Sequence, residues 1–272
     1  MSNLIKRSIT GFIFVLVIVS CILIGKITFL ILSLTLIILS MNEFYRISVK
    51  ERIRAQKNYG VFIGTSFFIS NYLFAQNIVD YKIFTIFIPL FIFVFIYELF
   101  RNNKKPFSNI GYTLLGIIYI AIPISMFNFF VFRGNLNVIY TPNILLSFFI
   151  MLWASDTGAY IFGVSFGKHR LFPRISPKKS WEGFLGGAIT SLATSFILSK
   201  FYPDLPLIHW FVISTIIVIM GTFGDLVESL FKRSIKIKDS GKIFPGHGGI
   251  LDRIDSVLLS APIIFTYLQL IN

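Results

Sequence analysis

Residues 221 to 256 read GTFGDLVESLFKRSIKIKDSGKIFPGHGGILDRIDS. Five carboxylates (Asp225, Glu228, Asp239, Asp252, Asp255) and six cations (Lys232, Arg233, Lys236, Lys238, Lys242, Arg253) are crowded into this stretch, which separates two apolar runs. Ionisable groups beside a bilayer are costly, so such density requires a cause. The rest of the chain is poor in charge: of 272 residues, 14% are charged and 55% hydrophobic, where soluble domains carry about 25% charged residues. With a mean hydropathy of +0.79, this composition specifies a polytopic membrane protein.

Outward from that stretch, nine segments approach the roughly 20 apolar residues that a membrane helix needs. They are 9–25, 27–42, 59–76, 83–100, 110–131, 143–164, 183–200, 208–228 and 254–271. The expected fold is therefore all-α, with about nine transmembrane helices. If the N-terminus is cytoplasmic and the helices alternate, only Lys26, Lys82, Arg133 and Lys200 of the 25 Lys and Arg fall outside. Cytoplasmic loops carry such an excess of cations, so the C-terminus is expected outside and the polar motifs on the cytoplasmic side. The same topology accounts for the net charge of +13, and no nucleic-acid-binding pattern accompanies it. Lys6 and Arg7 precede the first apolar run as in a signal peptide, but no A-x-A-like site precedes Lys26, so the run is expected to be the first membrane helix.

No repeat, low-complexity tract or flexible linker divides the chain. Residues 1–272 are expected to form a single membrane domain, in which 1–142 supply N-terminal helices and 143–272 the helices and cytoplasmic loops that carry chemistry. Cys21 is the single cysteine, which excludes an internal disulfide. Glu43 and Glu98 fall near predicted cytoplasmic helix ends, where a carboxylate can reach water or a neighbouring Arg. Pro89 and Pro123 are expected to kink their helices.

Candidate functional residues begin at Asp156, inside the sixth apolar run, with Gly158 and Gly163 opening that region to close backbone approach. It either faces a partner or a watery cavity, or it lies at the membrane interface. In the following loop, Ser176-Pro-Lys-Lys-Ser-Trp-Glu-Gly183, Pro177 is expected to stop regular structure and Ser180 to cap the next helix, with Glu182 in its first turn. Lys178 and Lys179 would then stand at a helix N-terminus, which already favours an anion; they bind either a phosphate or anionic lipid head groups. Asp225, Glu228, Ser229 and Lys232 share one helical face, as a metal-and-phosphate stripe or as an internal salt bridge.

The segment Phe244-Pro-Gly-His-Gly-Gly249 is too rich in Gly and Pro for a helix and can turn its N–H groups onto phosphate oxygens. Asp252 and Asp255 follow at i and i+3 on one face at the start of the last helix. Carboxylates joined by phosphate oxygens are the usual ligands of Mg²⁺. His247 has three glycines near it and few side chains to pack on, so it is expected to touch substrate; the remaining histidines, His169 and His209, and Cys21 give no zinc spacing. P-loop, dinucleotide-binding, zincin and Ser-hydrolase motifs are absent.

Here the sequence resembles the phosphatidate cytidylyltransferase, or CDP-diacylglycerol synthase, family. Its signature is met without a gap by Ser229, Lys232-Arg233, Lys238-Asp239, His247-Gly248-Gly249 and Asp252-Arg253-Ile254-Asp255, and the Asp156 and Ser176–Gly183 elements are similar too, so the motifs span roughly 150 to 256. The resemblance implies that CTP and phosphatidic acid give CDP-diacylglycerol and pyrophosphate. It implies Mg²⁺, with a monovalent cation such as K⁺ in similar enzymes, and homodimers are known in the family. Asp225 and Asp252 look like the metal ligands, joined by Asp255 and Asp239 as ligands or supports. Lys232, Arg233, Lys238 and Arg253 would neutralise phosphates, and a loop with Gly246, His247, Gly248 and Gly249 would cradle the triphosphate. Asp156, Lys178, Lys179, Ser180, Glu182 and Ser229 would complete the substrate site. The expected location is a bacterial plasma membrane. A related CTP-using lipid enzyme, such as a CDP-archaeol synthase or polyprenol kinase, is the near alternative, and a transporter the distant one.

Overall fold

The computed structural model describes residues 3–134, 137–241 and 248–271. All nine apolar runs form helix. The helices in chain order are α1 (Asn3–Ile24), α2 (Lys26–Ser48), α3 (Lys57–Ala75), α4 (Phe87–Leu99), then α5 (Pro106–Gly116) with two short turns α6 (Ile122–Ser125) and α7 (Asn128–Val131) dividing the fifth run, α8 (Asn143–Phe166), α9 (Trp181–Phe201), α10 (Leu207–Ser234) and α11 (Leu251–Ile271). Among the described residues, seven helical stretches are long and apolar enough to cross a membrane. The two below that threshold are α1, whose apolar part is Ile9–Ile24, and α3, which carries Asn58, Asn71 and Gln76 in or beside it.

Two small antiparallel ribbons depart from the all-helical expectation without changing the class. β1 (Phe132–Arg133) pairs with β2 (Ile139–Tyr140), and β3 (Arg170–Phe172) pairs with β4 (Ser176–Ser180). Pro177 was expected to stop regular structure, yet it sits inside β4; a two-stranded ribbon has an outer edge on which the missing N–H is tolerated. Pro89 does not kink a helix either. The chain runs as 3₁₀ over Tyr81–Ile86 and continues directly as α4 from Phe87, so the N–H that Pro89 lacks falls where the hydrogen-bond pattern changes from one helix type to the other. At Pro123 the distortion is real and takes the form of a π turn over Ile117–Ala121, between α5 and α6.

The internal contacts separate into two units, Met1–Tyr140 with Ile235–Ile254, and Thr141–Ser234 with Asp255–Asn272. In the first, α2 packs on α1, α3 and α5 and buries Phe29, Ile37, Met41 and Phe44. Glu98 is buried rather than bathed in water: it pairs with Arg101 at 3.0 Å, as sequence suggested, and also accepts from Asn109 Nδ2 at 2.6 Å and Gln56 Nε2 at 3.0 Å. Four donors around one carboxylate, counting Asn103, compensate its desolvation.

The second unit is built on the close crossing of α8 and α9. A Cβ on Gly158 would lie 2.8 Å from Gly186 O, and one on Gly187 would lie 2.9 Å from Ser155 O. Small residues let the two backbones meet, and hydroxyls then bond across the seam. Thr190 Oγ1 donates to Ala154 O at 3.0 Å, and Ser214 Oγ of α10 donates to Ser191 Oγ at 2.9 Å.

Candidate active site

The second unit holds a cavity of about 320 Å³ lined by residues of α8, β4, α9, α10 and α11. One part of its wall is apolar, from Leu152, Phe184, Ile217 and Val218; the other carries Asp156, Lys178, Lys179, Ser180 and Asp225. The ribbon sets the polar part. β4 runs directly into α9, and Ser180 caps that helix as its sequence position predicts, accepting from Gly183 N at 3.1 Å. Glu182 does not line the cavity. Its carboxylate accepts from His169 N at 3.2 Å and meets His169 Nδ1 at 2.7 Å, while Trp181 N donates to His169 O at 2.9 Å, so it anchors the start of the ribbon.

Lys179 reaches across the cavity to Asp225: Nζ lies 2.6 Å from Oδ2, and 3.4 Å from Thr222 O. Ser229 Oγ, one turn along α10, donates to Asp225 Oδ1 at 3.2 Å. The stripe read on α10 therefore splits in two. Asp225 lines the cavity and carries Ser229 as its hydrogen-bond donor, whereas Lys232 forms an ion pair with the fully buried Glu228 and is itself 9% exposed. Asp255 Oδ1 accepts from Ser256 N at 2.7 Å, and the charges of Asp225, Asp156 and Lys232 all act on Asp255. Arg233 at the end of α10 is exposed.

The first unit contains the other half of the motif. Asp252, in the first turn of α11, fixes its own approach: Oδ2 accepts from Gly249 N at 2.7 Å and Ser240 N at 3.0 Å, and Ser240 Oγ lies 2.8 Å from it. Gly248 adopts φ +83°, a left-handed conformation that suits glycine, and the Cβ of Asp239 lies beside it. Lys238, Asp239 and Arg253 are exposed around this turn. Gly246 and His247, with Lys242 and Pro245, lie outside the described residues.

Glu43 is the residue that sequence reading missed. Expected to reach water or a neighbouring Arg, it is 2% exposed and is met by backbone and a serine from far along the chain. Its Oε1 accepts from Ser240 Oγ and its Oε2 from Ile250 N at 3.0 Å. The sole hint was a carboxylate closing an apolar run; partners some 200 positions away carry no local signature.

Among the described residues, no three His, Cys, Asp or Glu are grouped closely enough to hold a metal ion by themselves. The donors in question are all carboxylate oxygens, arranged in ones and twos. That set fits Mg²⁺, which is commonly held by one or two carboxylates and completed by phosphate oxygens and water.

Residues 5–271 match the model of the cytidylyltransferase family. A phosphatidate cytidylyltransferase of Bacillus subtilis (strain 168) is 34% identical over 277 residues, covering 100% of both chains. One of Staphylococcus haemolyticus (strain JCSC1435) is 41% identical over 170 residues, and one of Staphylococcus aureus (strain COL) 38% identical over 170 residues, each match spanning 62% of this chain and 62% of the relative.

Proposed function

The chain belongs to the cytidylyltransferase family and is a membrane nucleotidyltransferase, and from that premise we propose that it transfers CMP from CTP to phosphatidic acid, giving CDP-diacylglycerol and pyrophosphate for phospholipid synthesis. The observation that carries this reading is the two-faced cavity of the second unit, where Lys178 and Lys179 meet Leu152, Phe184, Ile217 and Val218. A phosphate on a diacyl lipid needs both faces at once. The bacterial relatives and the placement of basic residues support a plasma membrane location with the motifs on the cytoplasmic side.

The lipid phosphate is already an anionic nucleophile at neutral pH, so the chain need not supply a strong base. Its task is to bring two anions together. Lys178 and Lys179 hold the lipid phosphate, and Ser180 fixes the start of α9 beside them. A phosphate oxygen forms a bond to the α-phosphorus of CTP while the bond from that phosphorus to the bridging oxygen breaks, and pyrophosphate leaves with the electron pair. Arg233, Lys238 and Arg253 take up phosphate charge, and Lys232, held by Glu228, adds positive charge near Asp255. Asp225 and Asp255 would hold Mg²⁺, which when bound neutralises phosphate oxygens and stabilises the departing pyrophosphate.

The test is incubation of detergent-solubilised protein with phosphatidic acid, Mg²⁺ and CTP labelled at the α-phosphate, in parallel with CTP labelled at the γ-phosphate. Lipid carrying only the α label, and lost in Asp225→Asn, is the expected result. Lipid carrying the γ label would make the protein a lipid kinase and overturn the proposal.

A further inference from the structure

A carboxylate that is 2% exposed in an apolar helix must be matched by donors. Glu43 of α2 finds them in the turn before α11. Ser240 Oγ donates to Oε1, Ile250 N donates to Oε2 at 3.0 Å, and the same Ser240 hydroxyl lies 2.8 Å from Asp252 Oδ2. One hydroxyl thus bridges two carboxylates, one on the N-terminal helices and one in the motif. The packing leaves little slack: a Cβ on Gly249 would run into the Glu43 carboxylate, and one on Gly241 would lie 2.6 Å from Glu43 Oε2 and 3.1 Å from Arg46 Nη2.

We infer that Glu43 is a positioning residue for the nucleotide end of the reaction, holding Ser240 and Ile250 so that the Gly248–Asp252 turn presents Asp252 and its glycine N–H groups in one fixed arrangement. This rests on the proposed function, in which that turn serves CTP. Glu43 touches neither substrate, and its effect passes through Ser240 and Ile250. The inference gives the N-terminal helices a part in the chemistry, although no motif residue lies on them.

The argument separates positioning from plain stability. Glu43→Ala removes two hydrogen bonds to a charged group, and the expected consequence is a rise in the KM for CTP of about 10- to 100-fold, the range such bonds are worth, with the KM for phosphatidic acid unchanged. Ser240→Ala keeps the Ile250 contact and is expected to shift the CTP KM in the same direction by less; it also serves if Glu43→Ala folds poorly. The second measurement is hydrogen exchange of full-length protein in detergent without substrates. Peptides covering 248–252 are expected to exchange faster in both variants, while those from α8 and α9 are unchanged. A fall in active fraction with both KM values intact, or unchanged exchange at 248–252, would overturn the inference. If wild-type protein did not use CTP, the proposed function would fail in the activity assay, while the exchange measurement would still decide whether Glu43 holds the turn.

Discussion

Gly158→Ala adds a single methyl group to α8 and puts the helix crossing of the second unit to the test. The new Cβ would lie 2.7 Å from Thr190 Cγ2 and 2.8 Å from Gly186 O. Ordinary carbon contacts lie at about 3.5–4.0 Å, so α8 and α9 would have to separate by more than about half an ångström. Thr190 could turn away, but a backbone carbonyl inside a helix has no such freedom. Overpacking of this kind costs about 1–3 kcal/mol, and replacing a mid-helix glycine by alanine returns up to about 1 kcal/mol of intrinsic propensity. A clash with a rigid backbone carbonyl falls at the upper end of that range, so it wins by about 2 kcal/mol. Since β4 leads straight into α9, separation at Gly158 should also carry Lys179 and Ser180 away from Asp225. The assays are thermal unfolding in detergent and the α-label transfer assay at varied lipid concentration, with a lower midpoint and a raised KM for lipid expected. Gly158→Ala with Thr190→Ala should recover part of the loss, since the contacts with the Thr190 side chain are then removed. A Gly158→Ala protein as stable as wild type would refute the reasoning.

Three further outcomes follow from the same geometry. Lys179→Met removes the 2.6 Å partner of Asp225 along with a cation of the cavity, and transfer should fall at least about 100-fold, as for loss of a charge-stabilising group in other enzymes, with little change in unfolding midpoint because both side chains are partly exposed. Glu98→Ala strips the acceptor from Gln56, Asn109 and Arg101 and should cost about 2–3 kcal/mol of stability, while the protein that remains folded keeps its KM values for both substrates. Removal of divalent cations with EDTA should abolish α-label transfer, and Mg²⁺ should restore it in wild type but not in Asp225→Asn; EDTA-resistant transfer would exclude the assigned carboxylate role.

Much of the architecture was legible because the bilayer imposes a length and an apolar composition that a sequence displays directly: each of the nine runs became helix, within a few residues at most ends. The close approach at Gly158 and the cap at Ser180 were also readable, since both depend on neighbours in sequence or on the mere absence of a side chain. Other features were not. Ser176–Ser180 pairs with Arg170–Phe172, and a short polar ribbon holding a proline has no period to betray it. Lys232 was left open between facing phosphate and an internal salt bridge; its pairing with Glu228 depends on burial, which helical spacing alone does not fix. Glu43 illustrates the general case, because a single carboxylate at the end of an apolar run looks like a helix end until the distant turn that needs it is placed beside it.

The π turn at Ile117–Ala121 has an evolutionary corollary. Such a turn houses one more residue than the α-helix would in the same length, so it behaves as an insertion absorbed without a loop. The residues of α6 beyond it are rotated by about 100° from the face an unbroken helix would give them. Buried Ile124 thus owes its inward orientation to that extra residue, and a relative with a one-codon gap here must repack this wall or carry its apolar residues at shifted positions.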